Sequence, residues 1–323
     1  MLYYNHTMKY ITLLLLLINL AAHSQTTETV ALSDSDPHDL YRSNDKDSST
    51  LFYKLIIPKI KPVAALIILP GTGEPVNYAE QQITLPVLAA DKGFVVVLPS
   101  INRGTTKHTY EHEMLDKIIT QVLKRFSVPK DKVIIGGFSG GAMISLTYTE
   151  KANREKGSTV IIPKAVFGID PPLDYAHLWQ HCINDIERNF SDVAVAEGKW
   201  IIQMYKDEFG GSPNEQPENY IKYSIYSHSR KDGGNARYLL TTPVLLYTEP
   251  DVVWSMKNRQ RDLYDLNAPD ISAMINLLQL GGNQNAELII THNKGIRPNG
   301  QKHPHSWSIM DSQQCLDWIV KQL

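Results

Sequence analysis

Several things are scarce in this 323-residue chain, and each scarcity excludes a class. Two cysteines are too few for a disulfide scaffold, and Cys182 and Cys315 lie too far apart in sequence to imply a pair. Neither charge sign dominates, with a formal net charge of −2, so no basic stripe points to nucleic acid or an anionic membrane surface. There is no internal repeat and no low-complexity tract. Long apolar runs are lacking except at the N-terminus, where Met8-Lys9-Tyr10 leads into the aliphatic Ile11–Leu20. That run is too short to span a bilayer. With Ala21-Ala22-His23-Ser24 behind it, the pattern predicts a secretory signal over residues 1–24 and a secreted or periplasmic protein without an integral membrane anchor. No cysteine follows the run to carry a lipid. Removing the segment takes one cation, Lys9, and no acid, which moves the charge from −2 to −3.

What remains is ordinary globular composition, 42% hydrophobic and 20% charged, enough for one large core. Residues 25–50 are rich in Ser, Thr and Asp and read as a flexible lead. Beyond them, apolar strand patterns alternate with helical ones. Leu51–Ile57, Val63–Leu69, Phe94–Leu98, Lys132–Gly136, Ala165–Ile169, Val244–Tyr247 and Glu287–Ile290 are the expected strands. Runs as apolar as VAALIIL and FVVVL suit strands buried on both faces, so a mainly parallel sheet flanked by helices follows. Residues 171–240 break the alternation with many aromatics among polar residues, and read as a cap inserted between two strands. Trp179 and Trp200 are its candidate substrate-binding residues.

Chemistry concentrates in KVIIGGFSGGAMIS, residues 132–145. Gly137-Phe138-Ser139-Gly140-Gly141 fits G-x-S-x-G between an apolar strand and a helix, the setting that motif requires. A serine there sits on a sharp turn that only small neighbours allow. Its hydroxyl stands at a helix N-terminus, where the Gly140 N–H can meet a developing oxyanion. The spacing for G-x-G-x-x-G is absent and no Walker lysine follows.

On these residues the chain resembles the α/β-hydrolase fold from about Leu51 to Leu323, and GFSGGAM resembles the elbows of secreted polyester depolymerases and feruloyl-type esterases. The resemblance implies a nucleophile Ser139, an acid after a later strand, and a histidine before the last helix. Asp251, in the loop after a proline-led strand, is the first choice for the acid, with Glu249 and Asp170 as alternatives. His305 is the first choice for the base, ahead of His303 and His292. A second oxyanion donor is expected from Leu69-Pro70-Gly71-Thr72-Gly73-Glu74, with the Thr72 N–H ahead of Gly73; Pro70-Gly71 departs from the family's usual His-Gly. The implied activity is carboxylic ester hydrolysis through an acyl-enzyme, without cofactor or metal, on a small-molecule or polymer-linked ester. A peptidase or aminoacyl hydrolase of the same fold, or an inactive binding protein, is the alternative. Two zinc-like spacings, His108-Thr109-Tyr110-Glu111-His112 and the pair His177 and His181, are read as surface histidines.

Overall fold

The computed structural model describes residues 25–32, 51–104 and 106–323. The expected signal segment, residues 1–24, lies outside the described residues. Eight strands form one sheet: β1 (Thr26–Leu32), β2 (Leu51–Ile57), β3 (Ala64–Leu69), β4 (Phe94–Pro99), β5 (Val133–Phe138), β6 (Ala165–Ile169), β7 (Val244–Thr248) and β8 (Ala286–Ile290). Their spatial order is β1-β2-β4-β3-β5-β6-β7-β8. The pairs β1/β2 and β2/β4 are antiparallel; every other pair is parallel.

Each central strand feeds two cores, because successive side chains leave the sheet on opposite faces. Ala65, Ile67 and Leu69 of β3 enter one cluster with Val95 and Val97 of β4, while Ala64, Leu66 and Ile68 enter the other with Val96 and Leu98. This is why the strands read as continuous apolar runs. Each buried aliphatic side chain contributes about 1.5–3 kcal/mol. Cys182 belongs to the first cluster and Cys315 to the second; both are free thiols, held apart by the sheet.

The helices are α1 (Asn77–Gln82), α2 (Leu85–Asp91), α3 (Thr109–Phe126), α4 (Gly140–Arg154), α5 (Tyr175–Arg188), α6 (Asp192–Phe209), α7 (Pro217–Tyr223), α8 (Val252–Arg259), α9 (Ala268–Leu280) and α10 (Ser312–Lys321). Among the described residues, none is long and apolar enough to cross a membrane.

Two expectations change. Within the expected flexible lead, Thr26–Leu32 is an edge strand, with Glu28, Val30 and Leu32 the less exposed residues of an alternating pattern, and residues 33–50 lie outside the described residues. Its threonines suggest a loop by composition but are β-branched and favour strand. The insert between β6 and β7 carries α5, α6 and α7, and its aromatics are fused to the main core. Trp179 is buried, stacked on Tyr205 and edge-on to Tyr220. Tyr205, Phe209 and Tyr220 continue that packing, so Trp179 holds the insert together and is not free to line a substrate pocket. Trp200 sits part-exposed on α6.

Candidate active site

Ser139 occupies the turn between β5 and α4 with φ 50° and ψ −118°. A non-glycine residue held at positive φ costs on the order of 1–3 kcal/mol and persists only where the surroundings impose it. Here they do. A Cβ on Gly137 would lie 2.5 Å from the Leu69 carbonyl oxygen, and one on Gly141 would lie 2.4 Å from the Leu69 and Pro70 oxygens. The Ser139 N–H is spent on the Ile169 carbonyl at 2.9 Å, which ties the elbow to the neighbouring strand end.

That neighbouring strand end carries the carboxylate that meets His305. Asp170 directly follows β6 and also has positive φ, 47°. One carboxylate oxygen receives a hydrogen bond from His305 Nδ1 at 2.7 Å, and the other receives the Thr248 hydroxyl at 2.7 Å. Its backbone is fixed as well, the N–H on the Tyr247 carbonyl and the C=O under Asn267 Nδ2. This pairing assigns the proton to His305 Nδ1 and leaves Nε2 as the nitrogen able to take one.

Asp251, the residue expected in this role from sequence, is committed elsewhere. Its Oδ1 caps α8 by accepting from Trp254 N at 2.9 Å, and its Oδ2 pairs with Lys302 at 2.5 Å. Partial desolvation pushes its carboxyl up, but the Lys302 ammonium and the Trp254 N–H outweigh that and hold it below the usual range. Glu249 is buried and accepts three bonds from the histidine loop: Thr291 Oγ1 at 3.0 Å, Lys294 N at 2.9 Å and Gly295 N at 3.1 Å.

The three histidines downstream of Asp251 take different places. The His305 ring lies 4.6 Å from the ring of Phe138, the residue before Ser139. The His303 ring packs edge-on to Trp254, and its Nδ1 faces the His305 carbonyl oxygen at 2.9 Å. Burial drives His303 down to about 3, so it is neutral at ordinary pH. His292 lines a surface hollow with Glu249 and Asp251.

Trp307 draws the pieces together. It is fully buried, stands 5.4 Å from Phe138 ring to ring, and donates its indole N–H to Glu74 at 2.8 Å. The same Glu74 oxygen accepts Gly71 N at 3.0 Å. Burial raises the Glu74 carboxyl, and the Trp307 and Gly71 donors offset part of the rise. Phe138 therefore sits between His305 and Trp307, while Glu74 ties the histidine loop to the loop after β3.

In that loop the N–H groups of Gly71, Gly73 and Glu74 are all spent, on Glu74, the Asn102 carbonyl and the Gly71 carbonyl. Among the described residues the Thr72 N–H has no protein partner. It faces the elbow: a Cβ added to Gly140 would lie 3.4 Å from Thr72 N and 2.2 Å from Thr72 Oγ1. Gly140 is the first residue of α4, where N–H groups have no intrahelical acceptor and no side chain caps them. The structure thus places two uncommitted N–H groups, from Thr72 and Gly140, beside Ser139.

Sequence reasoning missed Glu74, Thr248 and Asn267. No spacing marks them, because each acts through a contact across the fold. The H-x-x-E-H histidines are buried instead of exposed. His108 faces the Tyr175 hydroxyl and His112 that of Thr147, with rings 6.1 Å apart.

The comparisons with known proteins agree with this architecture. The phospholipase/carboxylesterase family matches residues 99–167, from the end of β4 through the Ser139 elbow into β6. A bifunctional acetylxylan esterase/xylanase of Neocallimastix patriciarum is 28% identical over 152 residues, covering 45% of this chain and 22% of that protein. The chain thus spans about a fifth of that curated relative. A bacterial heroin esterase superposes with a TM-score of 0.56 at 19% identity, over 97% of this chain and 90% of its own. The acylaminoacyl peptidase of Pyrococcus horikoshii gives 0.56 at 14% identity, over 95% of this chain and 43% of its own. Strand order, elbow and whole-chain superposition make this a protein of the α/β-hydrolase fold.

Proposed function

We propose that this chain is a serine hydrolase acting on carboxylic esters, with Ser139 as nucleophile, His305 as general base and Asp170 as its orienting acid. The observation that carries the reading is the His305 Nδ1–Asp170 hydrogen bond of 2.7 Å, on a histidine whose ring lies on the elbow beside a strained serine. His305 Nε2 takes the Ser139 proton as Oγ attacks the acyl carbon. Asp170 holds the tautomer and stabilises the imidazolium, and the Thr72 and Gly140 N–H groups receive the oxyanion. His305 returns the proton to the departing alcohol, and water resolves the acyl-enzyme by the same route in reverse.

The family match and the esterase relatives support a hydrolase coarsely. The acetylxylan esterase relative favours a short acyl group on a carbohydrate or similar alcohol. Export by the expected signal segment would bring the enzyme to such polymer-linked esters. Hydrolysis of p-nitrophenyl acetate by purified protein tests the reading. Ser139→Ala should lower kcat on the order of 10³-fold or more, as loss of a working triad member does. Full activity in Ser139→Ala would refute it, and a preference for aminoacyl p-nitroanilides over esters would move it to the peptidase branch of the fold.

A further inference from the structure

Beside the residues of the proposed Ser139 chemistry, the structure brings three further side chains, from three separate segments, together at one carboxylate oxygen. His177 of α5 places Nδ1 2.7 Å from Asp270 Oδ1, and His228, in the loop after α7, places Nε2 2.9 Å from the same oxygen. Asp270 stands in the first turn of α9 and is almost wholly buried, with its side chain 3% exposed. The His228 side chain is 48% exposed, so the point of convergence opens to solvent. All three ligand-capable atoms lie within 4.8 Å of one another. Spacing alone makes His177 a surface histidine; the fold turns it onto a buried acid.

We infer that His177, His228 and Asp270 form a site for a zinc-type divalent transition metal that fastens the insert to α9. Two imidazoles and one carboxylate are a borderline donor set that suits such an ion, with water in the remaining position. Ligand atoms on a tetrahedral zinc stand about 3.3 Å apart, given bonds of about 2.0 Å. To admit the ion the two contacts to Asp270 must open by about 0.5 Å, and the two imidazole nitrogens, which lie within 4.8 Å of each other, must draw in toward that same spacing, a movement that falls to His228 on its exposed loop. In the ion's absence each imidazole turns an N–H toward one oxygen; on binding, that nitrogen presents its lone pair to the metal and its proton moves to the other ring nitrogen, or to solvent where the ring was cationic.

The surroundings fix the ligands from behind, as metal sites require. Asp174 accepts the His177 N–H on one oxygen at 3.4 Å and the His228 N–H on the other at 2.8 Å, so one carboxylate sets the backbone of both histidines. The His181 ring packs edge-on to His177 at 4.3 Å, and is itself anchored by Nε2 on the Tyr264 carbonyl at 2.7 Å. His181 thereby braces the His177 ring from the side. The site's ligands are not those of the proposed Ser139 chemistry.

Full-length protein stripped with chelator, dialysed and titrated with zinc chloride in a calorimeter provides the test, with cobalt(II) absorption as a second readout. Wild type should bind one equivalent, show the intense visible bands of low-coordinate cobalt, and melt about 5 °C higher at zinc 100-fold above Kd. His228→Ala, on the exposed loop, should keep the fold and weaken binding by more than the roughly 10- to 100-fold that loss of an outer partner costs. Asp174→Asn should fall within that smaller range. Cleavage of p-nitrophenyl acetate at 25 °C should survive chelation, which separates this site from the proposed serine chemistry. Absence of stoichiometric binding to wild type, or undiminished wild-type affinity in both His228→Ala and His177→Ala, would overturn the assignment.

Discussion

The tips of β6 and β7 are adjacent, both apolar strands ending in acid, yet they do different work. At the β6 tip, Asp170 has one oxygen on Thr248 and keeps the other for His305. At the β7 tip, Glu249 spends its oxygens on the histidine loop and Asp251 spends its own on a helix cap and Lys302. The two aspartates have the same number of partners; what differs is which partner the fold brings, an imidazole to Asp170 and a backbone N–H with an ammonium to Asp251. The lesson is that an acid is identified by the partner that the fold sets against it, which sequence position does not reveal.

Three substitutions can break this comparison. Asp170→Asn should have the largest effect, about 10³- to 10⁴-fold in kcat with the fold retained, because the amide favours the wrong imidazole tautomer. Circular dichroism beside p-nitrophenyl acetate kinetics would check it. Glu249→Gln should come next, near 10-fold in kcat with a melting temperature about 2–4 °C lower. Its amide NH2 must face a backbone N–H of Lys294 or Gly295, which loosens the loop that carries His305. Asp251→Asn should change kcat less than about 3-fold. Because the folded Asp251 carboxyl is held low, the stability it adds is present at neutral pH and lost as pH falls through that lowered value. Melting curves of wild type and Asp251→Asn should therefore differ at pH 7 and converge in acid.

Much of the fold was legible, because a buried parallel sheet writes itself as apolar runs separated by helical spacing. The elbow was legible too, since its whole pattern falls within five consecutive residues, even though the backbone that Gly137 and Gly141 must clear is that of Leu69 and Pro70 on the next strand. The acid was not. Asp170 and Asp251 both follow apolar strands, and what separates them is Thr248, Lys302 and the Trp254 N–H, all reached across the fold or by the local turn. The insert misled for a related reason: aromatics at helical spacing look alike whether they face a substrate or one another, and Trp179 faces Tyr205 and Tyr220. The strand Thr26–Leu32 was hidden by its polar composition, since an edge strand alternates weakly.

The most direct test of the account is the rate at which a fluorophosphonate probe labels Ser139 in wild type, Asp170→Asn and Asp251→Asn, read by intact mass and peptide mapping. This needs no knowledge of the natural ester and reports only whether the serine is activated and by which acid. Labelling confined to Ser139, slowed on the order of 10²-fold or more by Asp170→Asn and unchanged by Asp251→Asn, is the predicted result. Labelling elsewhere, or a rate that collapses in Asp251→Asn and survives in Asp170→Asn, would contradict it.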